Sequence, residues 1–239
     1  GKSFMVEDFI NNNYNVIYIP SCSNDIHQGT HVNNIDGKKV YFHGRYIIED
    51  IFNQYDEKFK KADKLILAGY SAGSLALGLN VDLIKRYENP YIIADSFWLD
   101  AESLNVRLGW NDGPWPEIVK FLYNDRVEHC KDSHWANCFS SRPLFERNNL
   151  NNVFFIWNIG DPYIKGNLDK VRKSINEDSI FYNAGFSINA EERKLKGNIE
   201  WGHVMTATDL YYKDFEGTSL QKLIWNWING SGKTIYINN

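Results

Sequence analysis

The stretch Lys64-Leu65-Ile66-Leu67-Ala68-Gly69-Tyr70-Ser71-Ala72-Gly73-Ser74 constrains this chain more than any other. An apolar run of strand type leads into Gly69-Tyr70-Ser71-Ala72-Gly73, and a helix-forming run, Leu75 to Lys85, leaves it. Strand, sharp turn and helix around G-x-S-x-G spell a nucleophile elbow. Such a serine sits on strained backbone, with its hydroxyl thrust out at the carboxyl end of the strand. The residues two before and two after it must be tiny, because strand and helix pass within contact distance there. Ser71 is therefore the candidate nucleophile. Ala72 supplies a backbone N–H beside it, at the start of a helix whose dipole favours negative charge, and is the candidate oxyanion donor.

The surrounding pattern predicts the sheet that such a turn needs. Asn15 to Pro20, Leu65 to Ala68, Pro90 to Ala94 and Asn152 to Trp157 are short, nearly continuous apolar runs, as in a parallel sheet covered on both faces. Ser3 to Asn12, Tyr46 to Lys60 and Thr218 to Trp227 carry helical periodicity. Shorter helices are expected over Glu117 to Tyr123 and Leu168 to Ile175, and a last strand over Thr234 to Ile237. Asp36-Gly37 marks a turn within a loop or hairpin over residues 30–41. Alternating strands and helices predict a three-layer α/β architecture: a mostly parallel, doubly wound sheet with helices on both faces. The irregular segment 101–150 is expected to form a cap or rim within a single domain spanning residues 1–239.

Composition narrows the partners. With 26 basic and 30 acidic residues the formal charge is −4, without basic clustering, which argues against nucleic acid. No apolar run approaches the roughly 18 residues that span a bilayer. The opening Gly1-Lys2-Ser3-Phe4 has no signal peptide and is read as a mature or trimmed form. Asn229-Gly230-Ser231 is the chain's one glycosylation sequon. Of the three cysteines, Cys130 and Cys138 are close enough to staple a local loop. His129, Cys130, His134 and Cys138 could instead ligate a metal, though their spacing fits no ordinary zinc module.

Two residues complete a constellation with Ser71. Asp161 stands just past the strand ending at Trp157, where a triad acid belongs, and His203 lies in a later loop. The order Ser, Asp, His is that of α/β-hydrolases. His203 would take the proton from Ser71, and Asp161 would fix the imidazole tautomer and stabilise its charge. Asp25 and His27 sit in the loop after the first strand, at the end of a sheet where ligands gather, but either can equally be loop structure.

Jointly, four stretches resemble the pectin acetylesterase / Notum family of carboxylesterases. They are Val16 to Gly29; Leu67 to Gly73 with Leu79-Asn80-Val81-Asp82; Ala94 to Asp100; and the downstream run of Trp135-Ala136-Asn137-Cys138-Phe139, Asp161, Gly202-His203 and Glu216 to Leu220. Two positions depart from the family pattern, Ser21 for a usual Tyr and Ser74 for a common Gly. The resemblance implies an α/β-hydrolase fold, a Ser71–Asp161–His203 triad and ester deacylation without metal or cofactor, usually in a secreted enzyme. It favours a Cys130–Cys138 disulfide. It also places the family's Gly-Gly-rich oxyanion segment upstream of Val16, which leaves Ala72 as the identifiable donor in this chain.

The function expected is a serine carboxylesterase removing short, acetyl-like groups from a glycan or glycoconjugate, with Asp25, His27, Trp98 and Phe139 lining the substrate pocket. The alternatives are a deacylase of lipidated protein, a non-catalytic scaffold or glycan-binding protein, and a peptidase, since an elbow does not separate ester from amide.

Overall fold

A computed structural model describes residues 3–21, 25–96, 145, 148–158, 182–188, 204–215, 217–231 and 234–236, with the backbone alone at 157–158, 182–188, 215 and 234–236. Five strands make the main sheet: β3 (Ile66–Tyr70), β4 (Tyr91–Asp95), β5 (Val153–Asn158), β6 (Tyr182–Ile188) and β9 (Thr234–Tyr236). They lie side by side in that order, every neighbouring pair parallel. Before them comes a hairpin, β1 (His31–Ile35) and β2 (Lys38–Phe42). Asp36 and Gly37 at its tip both have positive φ (50° and 76°), as a two-residue turn matched to the strand twist requires. β7 (Asp214–Phe215) and β8 (Thr218–Ser219) form a second, minimal hairpin.

Alternation along the central strands builds a core on each face of the sheet. Ile92 and Ala94 of β4, with Val153 and Phe155 of β5, pack against Ile48 and Phe52 of α2 (Gly44–Lys60) and Leu83 and Ile84 of α4 (Val81–Ile84). Ile93, Phe154 and Ile156 face the other way, toward Met5 and Phe9 of α1 (Phe4–Asn11) and Leu223, Ile224 and Trp227 of α5 (Leu220–Ile228). Strands buried on both sides read as unbroken apolar runs, which is why these were visible in the sequence. The three layers expected from the α/β pattern are present.

Two buried charged residues tie the helices together. Asp8 of α1 accepts hydrogen bonds from Tyr211 Oη at 2.9 Å, Trp225 Nε1 at 2.6 Å and Gln221 Nε2 at 2.6 Å. That joins α1 to α5 and to the turn at 209–211. The charge and the burial push the Tyr211 hydroxyl far above the usual tyrosine range, burial contributing most. On the opposite face Arg45, 2% exposed, grips both carboxylate oxygens of Asp82, the side-chain carbonyl of Asn80 and Glu49 Oε1.

Several elements depart from expectation. Residues 14–20 form no strand, and Val16, Ile17 and Tyr18 are exposed. Ile19 packs on one core cluster and Tyr14 on the other, and β3 stands at the edge of the described sheet. The helix leaving the Ser71 turn starts at once, as α3 (Ala72–Leu79), and breaks at Asn80 rather than running through to Lys85. Asn80 Nδ2 donates to the Ala76 carbonyl at 2.8 Å, and its side-chain oxygen accepts from Arg45. An Asn that satisfies a helix-end carbonyl by itself divides α3 from α4.

Candidate active site

Ser71 stands between β3 and α3 with φ 50° and ψ −121°. A non-glycine residue in this region carries strain of roughly 1–3 kcal/mol, sustained only when surrounding bonds over-determine it. Here those bonds are explicit. The Ser71 N–H donates to the Asp95 carbonyl at 2.9 Å. The Ser71 carbonyl accepts from the N–H groups of Ser74 (3.0 Å) and Leu75 (3.2 Å). Ser74 Oγ, wholly buried, lies 2.9 Å from the carbonyl oxygens of both Ser71 and Asp95 and shares its one proton between them. Serine at 74, unusual for the pattern, thus braces the turn.

Beneath the turn a Cβ on Gly69 would fall 2.4 Å from the carbonyl carbon and oxygen of Gly73. Strand and helix do pass within backbone contact, as the motif requires. The demand on size falls on Gly69 alone: a Cβ on Gly73 would meet no described atom within 4 Å. Ala72, exposed, is the first residue of α3, so no carbonyl four residues back within the helix takes its N–H.

Known proteins resemble the part of the chain that holds this turn. Residues 7–102 match the family model described as pectinacetylesterase. A curated relative, palmitoleoyl-protein carboxylesterase NOTUM of Schmidtea mediterranea, is 36% identical over 75 residues. That alignment covers 30% of this chain and 14% of the relative, so the chain matches far less than two thirds of that protein's length. The crystal structure of the Wnt deacylase Notum from Drosophila at 1.9 Å superposes with a TM-score of 0.56 and 18% identity, covering 92% of this chain and 69% of that one. A second crystal form of it gives 0.57 and 17% over the same shares. Over residues 7–102 this chain is similar to the pectinacetylesterases. Its fold is the Notum-like, α/β-hydrolase type.

The carboxyl end of β4, within the stretch Ala94 to Asp100, forms a clasp that no local sequence pattern foretells. The Asp95 carboxylate is fully buried, and its Oδ2 accepts from the Thr206 N–H and Oγ1, both at 2.7 Å. Ser96 Oγ donates to Asp95 Oδ1 at 3.0 Å and accepts from the Val204 N–H at 2.7 Å. Both Ser96 (φ 56°) and Val204 (φ 59°) are left-handed, an outlier conformation for a β-branched residue. Partners more than a hundred residues apart leave no local pattern to find.

Asp25 and His27 are brought together by the loop they occupy. The Asp25 carboxylate, fully buried, accepts from the His27 N–H at 3.1 Å and from the Gly44 N–H at 2.8 Å, the latter being the first residue of α2. Its oxygens are spent on backbone, and Cβ atoms on Gly29 or Gly44 would strike them at 2.4 and 2.2 Å. In these contacts Asp25 is a helix cap and loop clasp. His27, also left-handed at φ 56° and 8% exposed, has its pKa lowered by burial, with the charge of Asp25 opposing. Tyr70, next to Ser71, has its hydroxyl pushed above the usual range by burial, then by its hydrogen bond with Tyr18 and by the charge of Asp95.

Asp161, His203, Trp98, Phe139, Cys130 and Cys138 lie outside the described residues, as does nearly all of the segment 101–150. Among the described residues no group of three or more His, Cys, Asp or Glu could hold a metal ion, and no helix is long and apolar enough to cross a membrane. A groove of about 610 Å³, lined by Asn12, Gln221, Trp225 and Asn226 among others, is formed by the end of α1 and the exposed side of α5 and includes no residue of the Ser71 turn.

Proposed function

We propose that this chain is a serine carboxylesterase that removes short, acetyl-like acyl groups from a glycan or glycoconjugate by way of an acyl-enzyme. The observation that carries the reading is Ser71 itself: a strained, braced serine at a strand-to-helix turn, in a fold shared with Notum. Strain of this kind persists where function needs the side chain presented, and the position is that of a hydrolase nucleophile.

In the proposed mechanism Ser71 Oγ attacks the ester carbonyl carbon while His203 takes its proton. The oxyanion that forms is met by the Ala72 N–H at the start of α3, a donor of a kind whose removal costs about 10²–10³ in rate. His203 returns the proton to the leaving alcohol, and water then releases the acyl group by the same steps in reverse roles. Asp161 holds the imidazole in the correct tautomer. Trp98 and Phe139 line the acyl pocket, and residues 101–150 form its rim, stapled by Cys130 and Cys138. No metal or cofactor takes part, and the protein works outside the cytosol, on the secretory side.

A second reading, deacylation of a lipidated protein, is favoured by the names of the relatives, which specify a palmitoleoyl-protein carboxylesterase and a Wnt deacylase. Hydrolysis of p-nitrophenyl esters from acetyl to octanoyl, by this chain and by Ser71→Ala, tests both. Preference for acetyl with loss of activity in the variant supports the first reading. Preference for octanoyl supports the second. Activity unchanged in Ser71→Ala removes Ser71 as the nucleophile, and activity absent throughout overturns the esterase account and leaves a scaffold or binding protein.

A further inference from the structure

We infer that Asp95 and Ser96 are positioning residues that hold the nucleophile turn and the segment after His203 in one fixed register. The inference rests on the esterase reading and goes beyond it, by assigning a role to a dipeptide that the triad does not contain.

The dipeptide closes β4, and three separate pieces of the molecule bond to it. The carbonyl of Asp95 receives the Ser71 N–H and shares the Ser74 hydroxyl, which fixes the β3–α3 turn. The Ser96 N–H donates to the Ile156 carbonyl at 2.9 Å, which fixes the end of β5. The Asp95 carboxylate takes two hydrogen bonds from Thr206, and Ser96 Oγ takes the N–H of Val204, which fixes residues 204–206. Val204 follows His203 directly in the chain.

Strain marks the same places. Ser71, Ser96 and Val204 are three non-glycine residues with positive φ, and each is bonded to this dipeptide or part of it. A loop that only needed to be tethered could relax out of the left-handed region. Charge-assisted bonds to a buried carboxylate are short and directional, so they set position as well as attachment. A base must stand within hydrogen-bond reach of the hydroxyl it deprotonates, and a misplacement near 1 Å can cost about 10²-fold. The Asp95–Ser96 pair is built to prevent that misplacement.

Ser96→Ala and Thr206→Val in the full chain test the inference, with Thr206→Ser as the conservative control and Asp95→Asn as the more severe change. The readouts are kcat and KM on p-nitrophenyl acetate, the melting temperature, and NMR of the His203 ring and the Val204 amide. Ser96→Ala and Thr206→Val are expected to lower kcat roughly 10- to 100-fold with KM nearly unchanged. They should also move the His203 titration and the Val204 amide, while Thr206→Ser stays near the parent in all of these. A melting temperature that falls while kcat and the His203 titration stay put overturns the inference, because the pair is then merely structural. Should the parent chain hydrolyse no ester, the esterase reading fails by itself. The NMR readout still decides the register: signals unmoved by Ser96→Ala overturn it, and signals that move support it.

Discussion

Gly69 lies directly under the backbone of Gly73, so that a methyl group on the first would sit 2.4 Å from the carbonyl of the second. The two glycines of the G-x-S-x-G turn are therefore unequal. One is demanded by contact, and the other only lends its backbone to that contact.

Substitution should separate them. Gly69→Ala forces β3 and α3 apart at the turn and is expected to abolish ester hydrolysis and lower the melting temperature sharply. Gly73→Ala meets no described atom and gains helix propensity of about 0.8–1 kcal/mol inside α3, so it should leave stability equal or slightly raised. Thermal denaturation of both variants, beside their activity, checks the asymmetry.

Arg45 should be a costly charge to remove. It is buried, while Asp82 and Glu49 keep 47% and 36% side-chain exposure, so the carboxylates left behind are partly solvated. Arg45→Ala is expected to cost about 3 kcal/mol, the low end for breaking a buried pair. Arg45→Lys should recover little of it, because a compact ammonium lacks the planar fork that reaches Asp82, Asn80 and Glu49 from three separate nitrogens. Urea unfolding of the two variants reads both numbers.

His27 gives the fold an acid-sensitive point. Burial lowers its pKa, so below the usual value of about 6.5 the unfolded chain takes up a proton that the folded chain resists. Its contribution to stability is present above pH 6.5 and is lost as pH falls from there toward the depressed folded value. Melting temperatures between pH 7.5 and 5 should decline more steeply for the parent than for His27→Asn, which suits the left-handed backbone and does not titrate.

Much of this was legible because the physics was local. Leu67, Ile92, Ile93, Phe154 and Phe155 announce buried parallel strands through unbroken apolar runs, and Asp36-Gly37 announces a hairpin. The Ser71 turn is legible because Gly69 and the serine must be spelled together. β6 escaped notice because Asn183, Gly185 and Ser187 interrupt its apolar residues, so only Tyr182, Ala184, Phe186 and Ile188 carry the strand period. Residues 14–20 misled in the other direction, since an apolar run predicts a strand only where another strand pairs with it. Arg45, Asp8 and Asp95 were invisible for a third reason. Each meets partners 35 to 217 residues away, and a buried charge is indistinguishable from a surface one until its partners are known.

The central claim is that Ser71 is the nucleophile. Its most direct test is covalent labelling of the full chain with a fluorophosphonate, followed by peptide mapping of the adduct. One adduct on Ser71, formed in parallel with loss of p-nitrophenyl acetate hydrolysis and absent in Ser71→Ala, is the result predicted. A chain that hydrolyses the ester yet carries its adduct on another residue, or labels equally well after Ser71→Ala, would contradict it.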